Sequence, residues 1–242
     1  MEKNYKKILL IAATHGNERI GIEVINRLAK QKLDVFFDFL VANPKALEKN
    51  VRFVDIDLNR SYPGKQKSKK YEERLAAKNI KLAKKYKYVI DLHEASSGTE
   101  DFIIIPRHRL NTAFPLDPIN LGTVLIWPDP KGPLGSCLKN TIELEFGMKG
   151  KNRKIIINRA VSVVGNFILS LDDLNGRKTA GNRKRKEIFE VYGKMNLQEA
   201  AKYRVEFQDF KKVKIKDELF YPLLVDQYKD LGIAFYKMKR TA

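Results

Sequence analysis

Two junctions of the same kind constrain this chain more than any other feature. Ile8-Leu9-Leu10-Ile11-Ala12-Ala13 runs into Thr14-His15-Gly16-Asn17-Glu18, and Tyr88-Val89-Ile90-Asp91-Leu92 runs into His93. A continuous apolar run, without alternation, is the pattern of a strand covered on both faces. Helical periodicities lie between and after them, at Ile20, Val24, Ile25 and Leu28, then over Tyr71–Tyr86 with Leu75, Leu82 and Ala83 inward. A longer amphipathic helix carries Ile157, Ala160, Val161, Val164, Ile168 and Leu171. Further strands are expected over Val35–Ala42, Phe102–Ile105, Thr123–Trp127 and Thr141–Phe146, the last with clear alternation. Strands alternating with helices through residue 174 predict an α/β sandwich around a mixed, mostly parallel sheet.

The pattern changes after Leu174. Asn175–Lys186 is strongly basic and poor in apolar residues, which predicts a linker between a domain over residues 1–174 and a small one over 187–242. Short strands over Ile188–Tyr192, Tyr203–Phe207, Val213–Ile215, Phe220–Val225 and Gly232–Met238 make the second domain mainly β. At 242 residues and 43% apolar composition the chain can bury a sizeable core, which excludes a disordered or disulfide-stapled class. The lone Cys137 reads as a small buried hydrophobe with no histidine beside it. The six-residue apolar run at Ile8 is short for a signal peptide, and no apolar run nears the roughly 20 residues of a membrane span. A cytoplasmic location without a membrane partner is the expectation.

Charge gives the most ambiguous signal. Lys and Arg total 47 against 29 Asp and Glu, a net +18 that on its face suggests polyanions or acidic small molecules. Eleven basic and two acidic residues fall between Lys149 and Lys186, so half of the excess sits there. No helix-turn-helix, RNA-recognition or zinc-finger signature accompanies it, and the basic runs hold few aromatics. No specific nucleic-acid partner is expected. Phosphate-binding and dinucleotide glycine motifs and the Gly-x-Ser-x-Gly elbow are missing too.

Chemistry concentrates at the junctions. Ligands in open α/β sheets bind at the carboxyl ends of strands, where two of the three histidines fall. Glu18 follows His15 by three residues, and with His93 it completes a His₂Glu set, the arrangement that leaves zinc one open position. His-x-x-Glu alone is common as a surface pair; its position at a strand end gives it weight. The intervening segment carries Asn43-Pro44, Arg52, Asp57-Leu58-Asn59-Arg60 and Pro63-Gly64, and a Glu-x-Gly follows at Glu145-Phe146-Gly147.

Taken in order, these motifs resemble the succinylglutamate desuccinylase/aspartoacylase family, relatives of the zinc carboxypeptidases. Phe220-Tyr221-Pro222-Leu223-Leu224 and Tyr228-Lys229 also resemble the family's small β domain. The resemblance implies a carboxypeptidase-like catalytic domain over 1–174 and one Zn2+ per chain held by His15, Glu18 and His93. It implies Glu145 as general base and Arg52 as oxyanion stabiliser, with Asn59 and Arg60 binding a substrate carboxylate and Tyr228 reaching toward substrate. Glu143 lies on the same strand face as Glu145, and spacing alone does not separate the two. Asp57 and Asp91 read either as groups orienting the ligands or as turn braces.

The implied activity is removal of an acyl group from a small N-acyl amino acid or related carboxylated amine. A carboxypeptidase acting on peptides and a non-enzymatic basic binding protein are the alternatives. One departure stands out: the stretch where aspartoacylases carry a second substrate-binding arginine, here Gly132–Asn140, has none, and Lys131 and Lys139 are its only nearby cations. Arg107 and Arg109 are possible substitutes, and His108 between them reads as exposed.

Overall fold

The computed structural model describes residues 6–31, 37–107, 114–128, 132–173 and 185–241. Its strands are β1 (Lys6–Ala12), β2 (Asp38–Val41), β3 (Tyr86–Ala95), β4 (Phe102–Pro106), β5 (Thr123–Trp127), β6 (Thr141–Gly147), β7 (Glu187–Asn196), β8 (Val213–Ile215), β9 (Glu218–Leu223) and β10 (Ile233–Arg240). The helices are α1 (Ile20–Ala29), α2 (Pro44–Lys49), α3 (Tyr71–Ala83), α4 (Leu134–Cys137), α5 (Arg153–Asp173) and α6 (Leu197–Ala200).

All ten strands lie in the order β2-β1-β3-β6-β4-β5-β7-β10-β9-β8. Pairing is parallel from β2 through β6, antiparallel at β6–β4, and parallel again through β5 to β7. The mixed, mostly parallel sheet expected from the apolar runs is therefore present. One face, with Ile8, Leu10, Ile90, Leu92, Ile142 and Leu144, is covered by α1 and α5 through Val24, Leu28, Val164 and Phe167. The other face buries Leu9, Ile11 and Val89 under Ala76, Ile80 and Ala83 of α3. By length and composition alone α5 could cross a bilayer, with mean hydropathy 1.4 over Arg153–Leu171. Half of that stretch is buried, and its apolar side is the cover of the sheet.

The C-terminal strands join this sheet. β7 pairs parallel with β5, and β10 and β9 follow antiparallel, while Met195, Val213, Ile215, Phe220 and Phe235 form a cluster of their own. Tyr203–Phe207 is not a strand; Tyr203 and Phe207 instead lean on that cluster as single anchors, so their apolar character serves packing rather than pairing. The helix expected to reach Tyr86 ends at Ala83, because Tyr86 already pairs with Lys6 in the sheet. β2 begins at Asp38, and Val35 lies outside the described residues. So does the linker apart from Arg185 and Lys186; the Lys186 ammonium donates to the Ile119 and Leu121 carbonyls at 2.8 and 3.0 Å.

Candidate metal centre and its cleft

β1, β3 and β6 run in one direction, so their carboxyl ends share an edge. The chain leaves β1 through Ala13, at φ 55°, and turns so tightly that the Glu18 amide donates to the His15 carbonyl at 3.1 Å. Gly16 lets the turn pack directly on α2: a Cβ there would lie 2.0 Å from the Ala46 carbonyl carbon. The Gly16 amide donates to the Arg52 carbonyl, which fastens the Arg52 segment beside His15. That segment is shaped by Glu72, whose buried carboxylate accepts from the amides of Val54, Asp55 and Ile56 at 2.7–3.2 Å.

His15, Glu18 and His93 meet at this edge. All three are buried, and one potential ligand atom from each lies within 4.8 Å of the others. The Glu18 carboxylate stands between the rings, 2.7 Å from His15 Nδ1 and 3.0 Å from His93 Nδ1. The outer nitrogens face carboxylates as well: His15 Nε2 is 3.1 Å from Asp57, and His93 Nε2 is 3.2 Å from Asp91. The latter approach is off the hydrogen-bond line, so His93 Nε2 has no hydrogen-bond partner among the described residues. Asp91 is held by Thr14 Oγ1 at 2.9 and 3.0 Å. Two imidazoles with inner nitrogens converging on a carboxylate and outer nitrogens backed by carboxylates are the donor pattern of a metal centre. The residues present fit a metal ion.

The electrostatics follow from burial and pairing. Burial alone would lower both histidines; the Glu18 charge beside His15, and the Asp91 charge beside His93, outweigh it and raise them. Burial alone would raise Glu18 and Asp57, yet the neighbouring histidines hold both well below the usual carboxylate range. Arg52 adds to this network, with Nε and Nη2 donating to Asp57 at 3.1 and 3.0 Å and Nη1 3.6 Å from Glu18.

Register settles the geometry of the two glutamates. Asp91 pairs with Glu143 and His93 with Glu145, so four functional groups form a square on one sheet face. Both glutamates line the cleft, and Glu145 is the one level with His93. Desolvation pushes each carboxyl up to about 7. Beyond them the same cleft is lined by Arg52, Asn59, Arg60, Ile104, Pro106, Trp127, Pro133, Leu224 and Tyr228. Asn59 and Arg60 sit in a single 3₁₀ turn, Leu58–Arg60, capped by Asp57 accepting from the Asn59 amide at 2.8 Å. Tyr228 arrives from the C-terminal region and places its ring 5.9 Å from the Arg52 guanidinium carbon.

All eight residues singled out in the sequence thus belong to the centre or its cleft. The candidate substitutes for the missing arginine do not: Arg107 is ion-paired with Glu190 and Lys139 is exposed. Lys131, His108 and Arg109 lie outside the described residues. Cys137 is half-buried against the α3-side cluster, as a small hydrophobe would be. Sequence reasoning missed Ile104, Pro106, Trp127 and Pro133, which carry no motif, and gave Leu224 of the Phe220–Leu224 segment no place in the cleft; the fold alone makes them neighbours.

The mixed, mostly parallel sheet has a zinc-carboxypeptidase-like fold, and it carries a His/Glu/His group at its carboxyl edge. Residues 4–171 match the model of the succinylglutamate desuccinylase/aspartoacylase catalytic domain. The chain belongs to this family. It is 32% identical over 117 residues to a probable aspartoacylase of Prochlorococcus marinus subsp. pastoris, a match covering 43% of this chain and 39% of that relative. A match to the N-acyl-aromatic-L-amino acid amidohydrolase (carboxylate-forming) of Xenopus laevis is longer, 27% identical over 254 residues, 92% of this chain and 81% of the relative. The fold matches the crystal structure of murine aminoacylase 3 at a TM-score of 0.76, with 18% identity, over 100% of this chain and 97% of that one.

Proposed function

We propose that this protein is a zinc-dependent amide hydrolase that removes the acyl group from an N-acyl amino acid or a related carboxylated amine. One observation carries the reading: His15 of the His15–Glu18–His93 group lines one cleft with Glu145 and two arginines. His15, Glu18 and His93 would hold the zinc ion, which when bound would supply Lewis acidity, lowering the pKa of water toward about 7 and polarising an amide carbonyl.

The remaining work falls to side chains of this chain. Glu145 takes the proton from the attacking water and passes it to the departing amine, a role suited to a carboxyl that burial pushes up to about 7. Arg52, anchored on Asp57, stabilises the oxyanion that grows on the carbonyl. Arg60 makes no ion pair with any described residue, and with Asn59 it holds the substrate carboxylate. Tyr228 covers Arg52 from the C-terminal side and limits water in the cleft. Carboxylates behind both histidine rings fix the orientation of each ligand.

The test is hydrolysis of a panel of N-acyl amino acids and short peptides by the zinc-loaded protein, followed as release of free amino acid. Release from N-acyl amino acids that stops on chelation and returns with zinc is the expected result. Cleavage of peptides alone would move the assignment to a carboxypeptidase.

A further inference from the structure

The relatives' names span acidic and aromatic amino acids, so family membership leaves the substrate side chain open. The sheet face beneath the cleft is more specific. Alternation places Asp91 and His93 of β3, Glu143 and Glu145 of β6, Ile104 and Pro106 of β4, and Trp127 of β5 on the same side. Ile104 pairs with Glu143, and Trp127 pairs with Pro106. Polarity therefore falls in one direction across the sheet, from the ligands, through the glutamate pair, to an apolar wall.

Cations are distributed the opposite way. Among the described residues, those lining the cleft are Arg52, already engaged by Asp57, and Arg60. Arg107 follows Pro106 directly but turns to Glu190, which also takes Lys239 at 3.0 Å. At the border of the apolar wall stands Glu143, 7% exposed, and no described residue donates a hydrogen bond to it. The mechanism above gives it no task. With Arg60 holding one substrate carboxylate, a second one would meet a buried carboxyl in place of a cation. Like charges in a poorly solvated site repel strongly, and relief requires uptake of a proton. An apolar group instead covers Ile104, Pro106 and Trp127 and gains by leaving water.

We propose that Glu143 is a specificity-determining residue: with the Ile104–Pro106–Trp127 wall it rejects N-acyl amino acids bearing a second carboxylate and selects monocarboxylates with an uncharged, apolar side chain. The inference rests on the deacylase reading, and the test separates the two. Zinc-loaded wild type is assayed on N-acetyl-L-leucine, N-acetyl-L-phenylalanine, N-acetyl-L-aspartate and N-succinyl-L-glutamate. Glu143→Gln is assayed alongside, with metal content measured. Binding of the same compounds to zinc-loaded Glu145→Gln is followed by calorimetry.

Wild type is expected to favour the apolar substrates by at least about tenfold in kcat/KM. Assayed at pH 8, where the Glu143 carboxyl is ionised, Glu143→Gln is expected to narrow that ratio about tenfold, chiefly by lowering KM for N-acetylaspartate, at unchanged zinc content. A wild-type preference for the dicarboxylates, in turnover or in binding, overturns the inference and leaves the deacylase reading intact. So does a ratio unmoved in folded, zinc-loaded Glu143→Gln. Neither binding nor hydrolysis of any panel member overturns the deacylase reading and the inference with it.

Discussion

The two ends of the cleft are built by different means. The metal end draws on short runs of sequence, Thr14–Glu18, Arg52–Asp57 and Asp91–His93, and nearly every polar atom there is tied to another. The substrate end is assembled from single side chains of β4, β5, the Pro133 segment and the Leu224–Tyr228 turn, and it is mostly apolar. Groups that must hold one atom in a fixed geometry are placed by local backbone turns and mutual hydrogen bonds. A wall that excludes water needs only surface, and any segment the fold brings near can supply it. The first end should be intolerant of single changes, and the second should answer by degrees.

The largest expected effect is at Glu145. Glu145→Gln should lower kcat by at least about 10²-fold while zinc content, read by elemental analysis, stays at the wild-type level. Near-normal turnover in that variant would remove Glu145 from its role and reopen Glu143 as base. Next comes the carboxylate behind His93. Asp91→Asn should weaken zinc binding about 10–100-fold in a chelator competition, because the buried ring loses the charge that orients it. Unchanged affinity would show that Glu18 alone fixes the ring.

Changes at the other end should be smaller. Gln227 precedes Tyr228 and accepts from Ser96 Oγ and the Ser97 amide at 2.9 and 2.8 Å, which ties the C-terminal turn to the loop after β3. Gln227→Ala should raise KM several-fold with little change in kcat or zinc content, since it frees the wall and not the centre. An equal fall in kcat would mean the two ends are mechanically coupled.

The smallest effect concerns Asp209, which clamps the same turn by accepting from the Val225 amide at 2.8 Å. Burial raises its carboxyl to about 6, above the ordinary 3.8. The folded chain thus holds that proton more tightly than the unfolded one. The stabilisation is full below about pH 4 and is lost as pH rises through about 6. Asp209→Asn keeps the acceptor and removes the titration. Relative to wild type it should gain on the order of 1 kcal/mol in urea unfolding between pH 4 and 7. A difference independent of pH would mean that Asp209 does not carry it.

Charge divides along similar lines. Within the basic stretch after Lys149, Arg153 bridges Glu23 and Glu94 at 2.7 and 3.0 Å, and Arg159 reaches Asp101 at 2.9 Å. Glu94 in turn accepts from the Ile20 amide at the start of α1, one residue beyond His93. Part of what looks in sequence like a surface for polyanions is bracing for the edge that carries the metal group.

Much of the metal end was legible because chemistry there is written in contiguous residues. His15, Glu18 and His93 follow apolar runs that announce buried strands, and Asp57-Leu58-Asn59-Arg60 is a motif in itself. Alternation put Glu143 and Glu145 on one face and could go no further, since rank between them depends on which is level with His93 across β3–β6. Tyr203–Phe207 shows the opposite failure, where side chains that suit a strand serve as isolated anchors. The apolar wall left no trace, since Ile104 and Trp127 read as ordinary strand residues.

The sequence by itself determined most of the buried strands of residues 1–174, the helices that cover them and the residue set at the carboxyl edge. Local periodicity and turn chemistry act over a few residues, so a one-dimensional pattern suffices to encode them. Only the tertiary structure decided that His93 stands level with Glu145, that Arg107 turns to Glu190, and that Glu143 faces Ile104 at the border of an apolar wall. Those are relations between strands, fixed by register and by the antiparallel entry of β4, and they form only once the whole sheet has closed around them.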